Sequence, residues 1–192
     1  LAVHYDVQQN SSKEASILKF ILGLIIGILI LPLCGYIYFR FGYAPVATAA
    51  APMPFEKKMV SMALRAKIRA EAPKSSPIQP DEPNLTAGAK VYVVNCAFCH
   101  GLPSLPPTAA AKGMFPVPPQ LFNADDMVTD DPVGSIYWKV NNGIRMTGMP
   151  SFNKSLSPTE MWQVSLLLNR ADKLPDQAKA ALNPTVAAPA KK

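Results

Sequence analysis

Between residues 17 and 39 the chain reads ILKFILGLIIGILILPLCGYIYF, with Lys19 its only charge. A helix apolar on every face is either the core of a large protein or a membrane span. About 20 such residues cross a hydrocarbon core roughly 30 Å thick, and this run supplies them. Pro32 and Gly35 are the breakers within it. Lys13 and Lys19 flank one end and Arg40 the other, a small bias towards a cytoplasmic N-terminus, while Tyr36, Tyr38 and Tyr43 lie at the far end, where amphipathic rings favour the interface. Two processed forms compete with a retained anchor. A secretory signal has an apolar region of only about 7–15 residues, and the single candidate cleavage region is the Ala-rich stretch 44–51. Lipid attachment at Cys34 would place Leu33, a large residue, immediately before the modified cysteine. The expectation is therefore a polar cytoplasmic segment over residues 1–15 and a single transmembrane helix over 16–39, with Cys34 an ordinary apolar residue of the span.

Twenty prolines in 192 residues, clustered rather than dispersed, divide the rest of the chain. Residues 40–83 hold seven of them and read as a Pro/Ala-rich linker. Within it FEKKMVSMALRAKIRAEA, residues 55–72, has helical periodicity: Phe55, Met59, Met62, Ala63, Ala66 and Ala70 recur at three- and four-residue steps, and Lys57, Lys58, Arg65 and Arg69 fall on other faces. A basic amphipathic helix just outside a membrane lies on anionic headgroups, docks on a partner or serves as a solvated spacer. The formal charge of +6 resides mainly outside the folding segment: 0 over residues 1–39, +3 over 40–83, +1 over 84–174 and +2 over 175–192. No basic stripe with interleaved aromatics marks 84–174, so nucleic-acid binding is a poor reading. Residues 175–192, PDQAKAALNPTVAAPAKK, have little to bury and are expected to form a flexible tail.

Only residues 84–174 can build a packed core. Thr86 is a candidate cap for a helix over 87–95. That helix delivers Cys96-Ala97-Phe98-Cys99-His100, the C-x-x-C-H attachment sequence of a covalent c-type haem. Two thiols three residues apart reach the two vinyl groups of one porphyrin, and the following imidazole is placed to ligate the iron. The alternatives are a redox dithiol and half a zinc site; the first normally follows a strand in an α/β pattern, and the second needs a further Cys or His pair, whereas only Cys34 and His4 remain. From 101 to 120 the chain has no periodicity and six prolines, a loop long enough to imply a task. The task expected is to line one porphyrin face, a carbonyl of the Pro118–Pro119 region accepting the second imidazole N–H of His100. Asp131-Pro132 opens a helix that Gly143 ends, with Val133, Ile136, Tyr137 and Val140 on its apolar face. Ser157-Pro158-Thr159-Glu160 is a capping box opening another to about Asn169, with Met161, Val164, Ser165 and Leu168 as one stripe.

A second axial ligand is sought among the methionines, because His4 precedes the span. Met53, Met59 and Met62 lie in the linker, Met114 in the proline loop, Met127 in an acidic turn and Met161 on a core stripe. Met146 and Met149, in NGIRMTGMPSF, remain.

Over roughly residues 84–174 the chain resembles the class I cytochromes c: C-x-x-C-H near the domain start, a proline loop, N-G-I at 142–144, G-M-P at 148–150 and a terminal helix bearing Trp162. The resemblance implies an all-α fold of three or four helices around one haem c, with the Met of G-M-P, Met149, as distal ligand beside His100, and Met146 as the runner-up. The anchor and linker helix resemble those of membrane-tethered cytochrome subunits of bacterial electron-transfer complexes. The implied function is one-electron transfer rather than catalysis, in a respiratory or photosynthetic complex, with its integral membrane subunits and redox donor and acceptor proteins as partners. The implied location is the bacterial inner membrane, single-pass, with the haem domain on the periplasmic side. Two other classes are weighed: an assembly or tethering subunit, and a haem peroxidase or gas sensor. For the last, no second His is available as acid–base catalyst, since His4 precedes the span.

Overall fold

The structure is a computed structural model that describes residues 2–183, which are helical and contain no strand. They divide after Val46 into two compact units. The first is dominated by α1 (Ala2–Arg40), which carries Pro32 in its interior. Its stretch Ser16–Arg40, 25 residues within which an 18-residue window has mean hydropathy 2.7, has no buried residue and is a candidate membrane span. At 1.5 Å per residue it is about 37 Å long, enough to cross a bilayer core with some tilt.

The second unit holds α2 (Glu56–Glu71), α3 (Glu82–Asn95), α4 (Ala97–His100), α5 (Ala109–Gly113), α6 (Val133–Asn142), α7 (Pro158–Asn169) and α8 (Asp176–Ala181). Its centre is the crossing of α3 and α7, with α6 packed on α7, α8 on α3 and α2 on α6. Gly88 makes the crossing close: a Cβ there would lie 2.2 Å from the carbonyl oxygen of Gln163. Gln163 Nε2 also donates to Asn84 Oδ1 across the same interface, at 3.0 Å. Around it Leu85, Ala89 and Tyr92 of α3 are buried with Met161, Val164, Leu166, Leu167 and Leu168 of α7. Trp162 of α7 stacks on Tyr137 of α6, ring centroids 4.0 Å apart. The capping box of α7 forms as its sequence prescribes: Glu160 N–H donates to Ser157 Oγ and Ser157 N–H to Glu160 Oε2. Gly143, at φ 66°, ends α6.

Three local expectations need correction. Helix α3 starts at Glu82, not after Thr86; Asp81 caps it by accepting from Asn84 N at 3.0 Å, and Pro83 stands in the first turn, where its missing N–H costs nothing. The proline loop contains a one-turn helix, α5, capped by Thr108. The segment after Pro175 is not free through 183: α8 seats Ala178 and Leu182 against α3, both almost wholly buried. Small side chains that look like a featureless tail suffice here, because only one narrow stripe faces α3. Residues 184–192, the remainder of the expected tail, lie outside the described residues.

Candidate haem cleft

Helix α3 runs directly into the attachment motif. Cys96 ends α3 and starts α4, and its carbonyl accepts from Cys99 N at 3.1 Å and His100 N at 2.9 Å. This turn gathers Cys96, Cys99 and His100 on the wall of a cleft of about 290 Å³. Gly101, at φ 72°, reverses the chain there, a conformation that favours glycine. Three contacts from outside the motif hold the turn. The Tyr92 hydroxyl, fully buried, donates to Gly101 O at 2.8 Å. Thr108 Oγ1 donates to Phe98 O at 2.8 Å. Gln120 Nε2 donates to Cys99 O at 3.1 Å and to Pro118 O at 3.2 Å.

His100 Nδ1 lies 2.8 Å from the carbonyl oxygen of Pro119. A carbonyl can only accept, so Nδ1 is the protonated nitrogen of this pair and Nε2 keeps its lone pair. Burial holds the imidazole pKa below its ordinary value, and the Pro119 contact opposes this only in part, so the neutral, ligating form is favoured. Burial, followed by the neighbouring Cys99, pushes the Cys96 thiol up to about 12. Cys96, Cys99 and Cys34 are all free of disulfides.

The distal wall comes from the chain between α6 and α7. Ile144 N donates to Met149 O at 3.2 Å, Met149 N to Thr147 Oγ1 at 3.1 Å, and Thr147 Oγ1 to Ile144 O at 2.7 Å. Both backbone groups of Met149 are thus tied into one small loop, and its thioether side chain lines the cleft. Met146 stands at the tip of that loop with φ 61° and 89% of its surface exposed; it does not line the cleft. Met114 of the proline loop, set aside above as a ligand, does line it. Its Cε occupies the space that a Cβ on Gly148 would need, 1.8 Å away, so the two loops interlock over the cleft. Nothing in the sequence pairs positions 114 and 148. Nor does it single out Tyr92 and Gln120, whose roles depend on which carbonyls the fold brings to them.

The donor set fits a covalently attached haem: two cysteines three residues apart, one imidazole held in its neutral form, two methionines lining the same space, and a lining that is otherwise overwhelmingly apolar. Val128, Ile136, Val140, Ile144, Phe152 and Leu168 supply that apolar lining. Among the described residues no group of three or more His, Cys, Asp or Glu side chains gathers as a separate metal site. Fold and cleft together define a small c-type cytochrome domain, preceded in the chain by an apolar helix of anchor length. Residues 83–166 match the family model described as cytochrome c oxidase, cbb3-type, subunit III, so this part of the chain is similar to the cytochrome c domain of that family. The match supports a haem-binding electron-transfer cytochrome domain. No individual curated protein matches the chain at a significant level.

Proposed function

We propose that the protein is a membrane-tethered, single-haem electron carrier in which His100 and Met149 ligate the iron, Cys96 and Cys99 form the thioethers, and Pro119 orients His100. The observation that supports this most directly is the Nδ1–Pro119 contact at 2.8 Å, which leaves Nε2 unprotonated beside the two thiols. When bound, the haem supplies a one-electron ferric–ferrous couple. The protein's own residues fix the imidazole tautomer, hold the Met149 backbone by two hydrogen bonds and keep water off the cleft with aliphatic side chains. With His100 and Met149 both as ligands, the iron would have no site open to oxygen or peroxide, which favours electron transfer over a peroxidase or sensor.

The family description favours a respiratory membrane oxidase as the parent complex, whose integral subunits and redox donor and acceptor are the partners. Covalent attachment and the charges flanking α1 favour the bacterial inner membrane with the cytochrome domain on the periplasmic side. Replacing Met149 by Ala is the test. The purified wild type should show a low-spin ferric spectrum with a sulfur-to-iron charge-transfer band; the variant should lose that band, become high-spin and fall in reduction potential. An unchanged spectrum in Met149→Ala would refute Met149 as ligand, and Met114→Ala, not Met146→Ala, is the next variant to measure.

A further inference from the structure

Helix α2 has two faces, and among the described residues only one of them is covered. Leu64 lines the cleft, Ile68 is 9% exposed, and Glu71 Oε2 accepts from Trp138 Nε1 on α6 at 3.1 Å. Just beyond α2 the backbone is pressed against α6: a Cβ on Gly134 would lie 1.6 Å from Pro73 O. At about 100° per residue, the opposite side of α2 carries Phe55, Met59, Met62, Ala63, Ala66 and Ala70. This is the periodic apolar stripe of the sequence, and it points away from the domain: Phe55 is 74%, Met59 66% and Met62 61% exposed. Lys58, Arg65 and Arg69 run along one border of the stripe. None of the three has an ion-pair partner among the described residues. Of the two acids of α2, Glu71 is held on the inner side by Lys67 and Trp138, and Glu56, which borders the solvent-open groove beside Phe55, accepts from Met53 N at 2.8 Å. Where the stripe meets the cations, Met53, Phe55, Lys58, Met62 and Arg65 bound a shallow groove of about 540 Å³, open to solvent.

We propose that this outer face of α2 seats on the anionic lipid surface of the membrane that α1 crosses, with phosphodiester headgroups held by Lys58, Arg65 and Arg69. The occupant is argued from charge and from chain continuity. An apolar stripe bordered by unpaired cations matches a headgroup–acyl boundary, where Phe and Met side chains enter and Lys and Arg reach the phosphates. Only 15 residues, 41–55, separate the end of α1 from α2, so even fully extended they span at most roughly 50 Å. Tethering makes the contact intramolecular, and a stripe of three large apolar side chains and several alanines then suffices where a free helix would bind feebly. Three cations at the surface together favour docking by roughly a hundredfold. Because Leu64 on the same helix lines the cleft, seating α2 also fixes which way the cleft faces.

The test uses the full, haem-loaded chain with Cys34→Ser and Ala66→Cys, a nitroxide on the new thiol, in protein-free nanodiscs. Discs of phosphatidylcholine with 30% phosphatidylglycerol are compared with phosphatidylcholine alone, and Lys154→Cys, exposed on the same unit, serves as the control position. In the anionic discs the label at 66 should be several-fold more accessible to oxygen than to an aqueous nickel chelate, and the label at 154 should not. The contrast should disappear in neutral discs and in the K58E/R65E/R69E variant, and weaken in 0.5 M salt. A label at 66 as water-exposed in anionic discs as at 154 overturns the proposal while leaving the tether intact. A label protected only when other subunits of the complex are present makes the face a protein interface and also overturns it. Failure of the chain to co-elute with the discs refutes the anchor itself, and docking falls with it.

Discussion

Replacing Gly88 by Ala sets two effects of known sign against each other. Alanine is the better helix former by about 1 kcal/mol in a helix interior, so propensity alone predicts a more stable protein. Packing predicts the reverse. The added Cβ would sit 2.2 Å from Gln163 O and 2.6 Å from its carbonyl carbon, against ordinary contact of about 3.4 Å. Those atoms are backbone of α7 and cannot rotate aside, so α3 and α7 must part by about 1 Å. Such a gap forfeits a quarter to a half of the dispersion energy of every contact across it. The crossing is where Leu85, Ala89 and Tyr92 are buried with Val164, Leu167 and Leu168, each 4% exposed or less. Overpacking of this kind costs about 3 kcal/mol, the upper part of its usual range, because backbone meets backbone. Net of propensity, Gly88→Ala should destabilise by about 2 kcal/mol and lower Tm by about 8–16 °C. The assay is thermal unfolding of the haem-loaded protein followed by Soret circular dichroism, which reports this domain and not the detergent-embedded α1. A Tm equal to or above wild type would refute the reasoning, since it would mean the crossing has room for a methyl group.

Leu182→Ala should cost about 2–4 kcal/mol, as for other buried leucines, because its side chain is 2% exposed beneath α8; an unchanged Tm would restore the reading of this segment as a loose tail. Tyr92→Phe removes the donor to Gly101 O and leaves that buried carbonyl unsatisfied, at a cost of about 1–3 kcal/mol. The Gly101 amide region should then exchange faster with deuterium, while His100 O keeps its bond from Leu121 N. The Glu71 carboxyl is held below its ordinary value of 4.5, first by Lys67 and then by the Trp138 indole. A depressed carboxyl contributes its stabilisation above that ordinary value and loses it as pH falls through the lower folded value. The Trp138 indole N–H should therefore titrate only below about pH 4.5, and Glu71→Gln should abolish that titration; a transition near neutral pH would assign it to another group.

What is legible before folding is whatever depends on neighbours in sequence. The span is a run of one kind of residue; the α7 capping box and the cysteine-turn-histidine motif each lie within five residues. Gly143 ends α6 for a local reason, its positive φ. Boundaries fail where two local signals compete. Thr86 looks like a cap, yet Asp81 with Pro83 two residues on is the better start, and Thr86 becomes an interior residue of the helix whose buried hydroxyl has no partner. The amphipathic stripe of 55–72 is legible, but its destination is not: periodicity places residues on a common face without saying what that face meets. The face that packs on α6 is the less conspicuous one, built on Leu64 and Ile68.

The cleft illustrates the same boundary between local and long-range information. His100 and Met149 are 49 residues apart, yet each is fixed by short-range chemistry, a helical turn in one case and a self-bonded loop in the other. What aligns the two walls is long-range: Gln120 ties the end of the proline loop to Cys99, and Met114 of that loop fits where Gly148 has no side chain. Gly148→Ala should therefore act on the distal wall alone. Its methyl would meet the flexible end of Met114, not backbone, so the cost to Tm should be small. Met114 must nevertheless swing aside, loosening the loop that presents Met149, so the charge-transfer band should weaken while haem content stays constant. Loss of covalent haem in that variant would refute the separation, because it would show that the two walls fold as one unit and that the attachment turn depends on its distal neighbour.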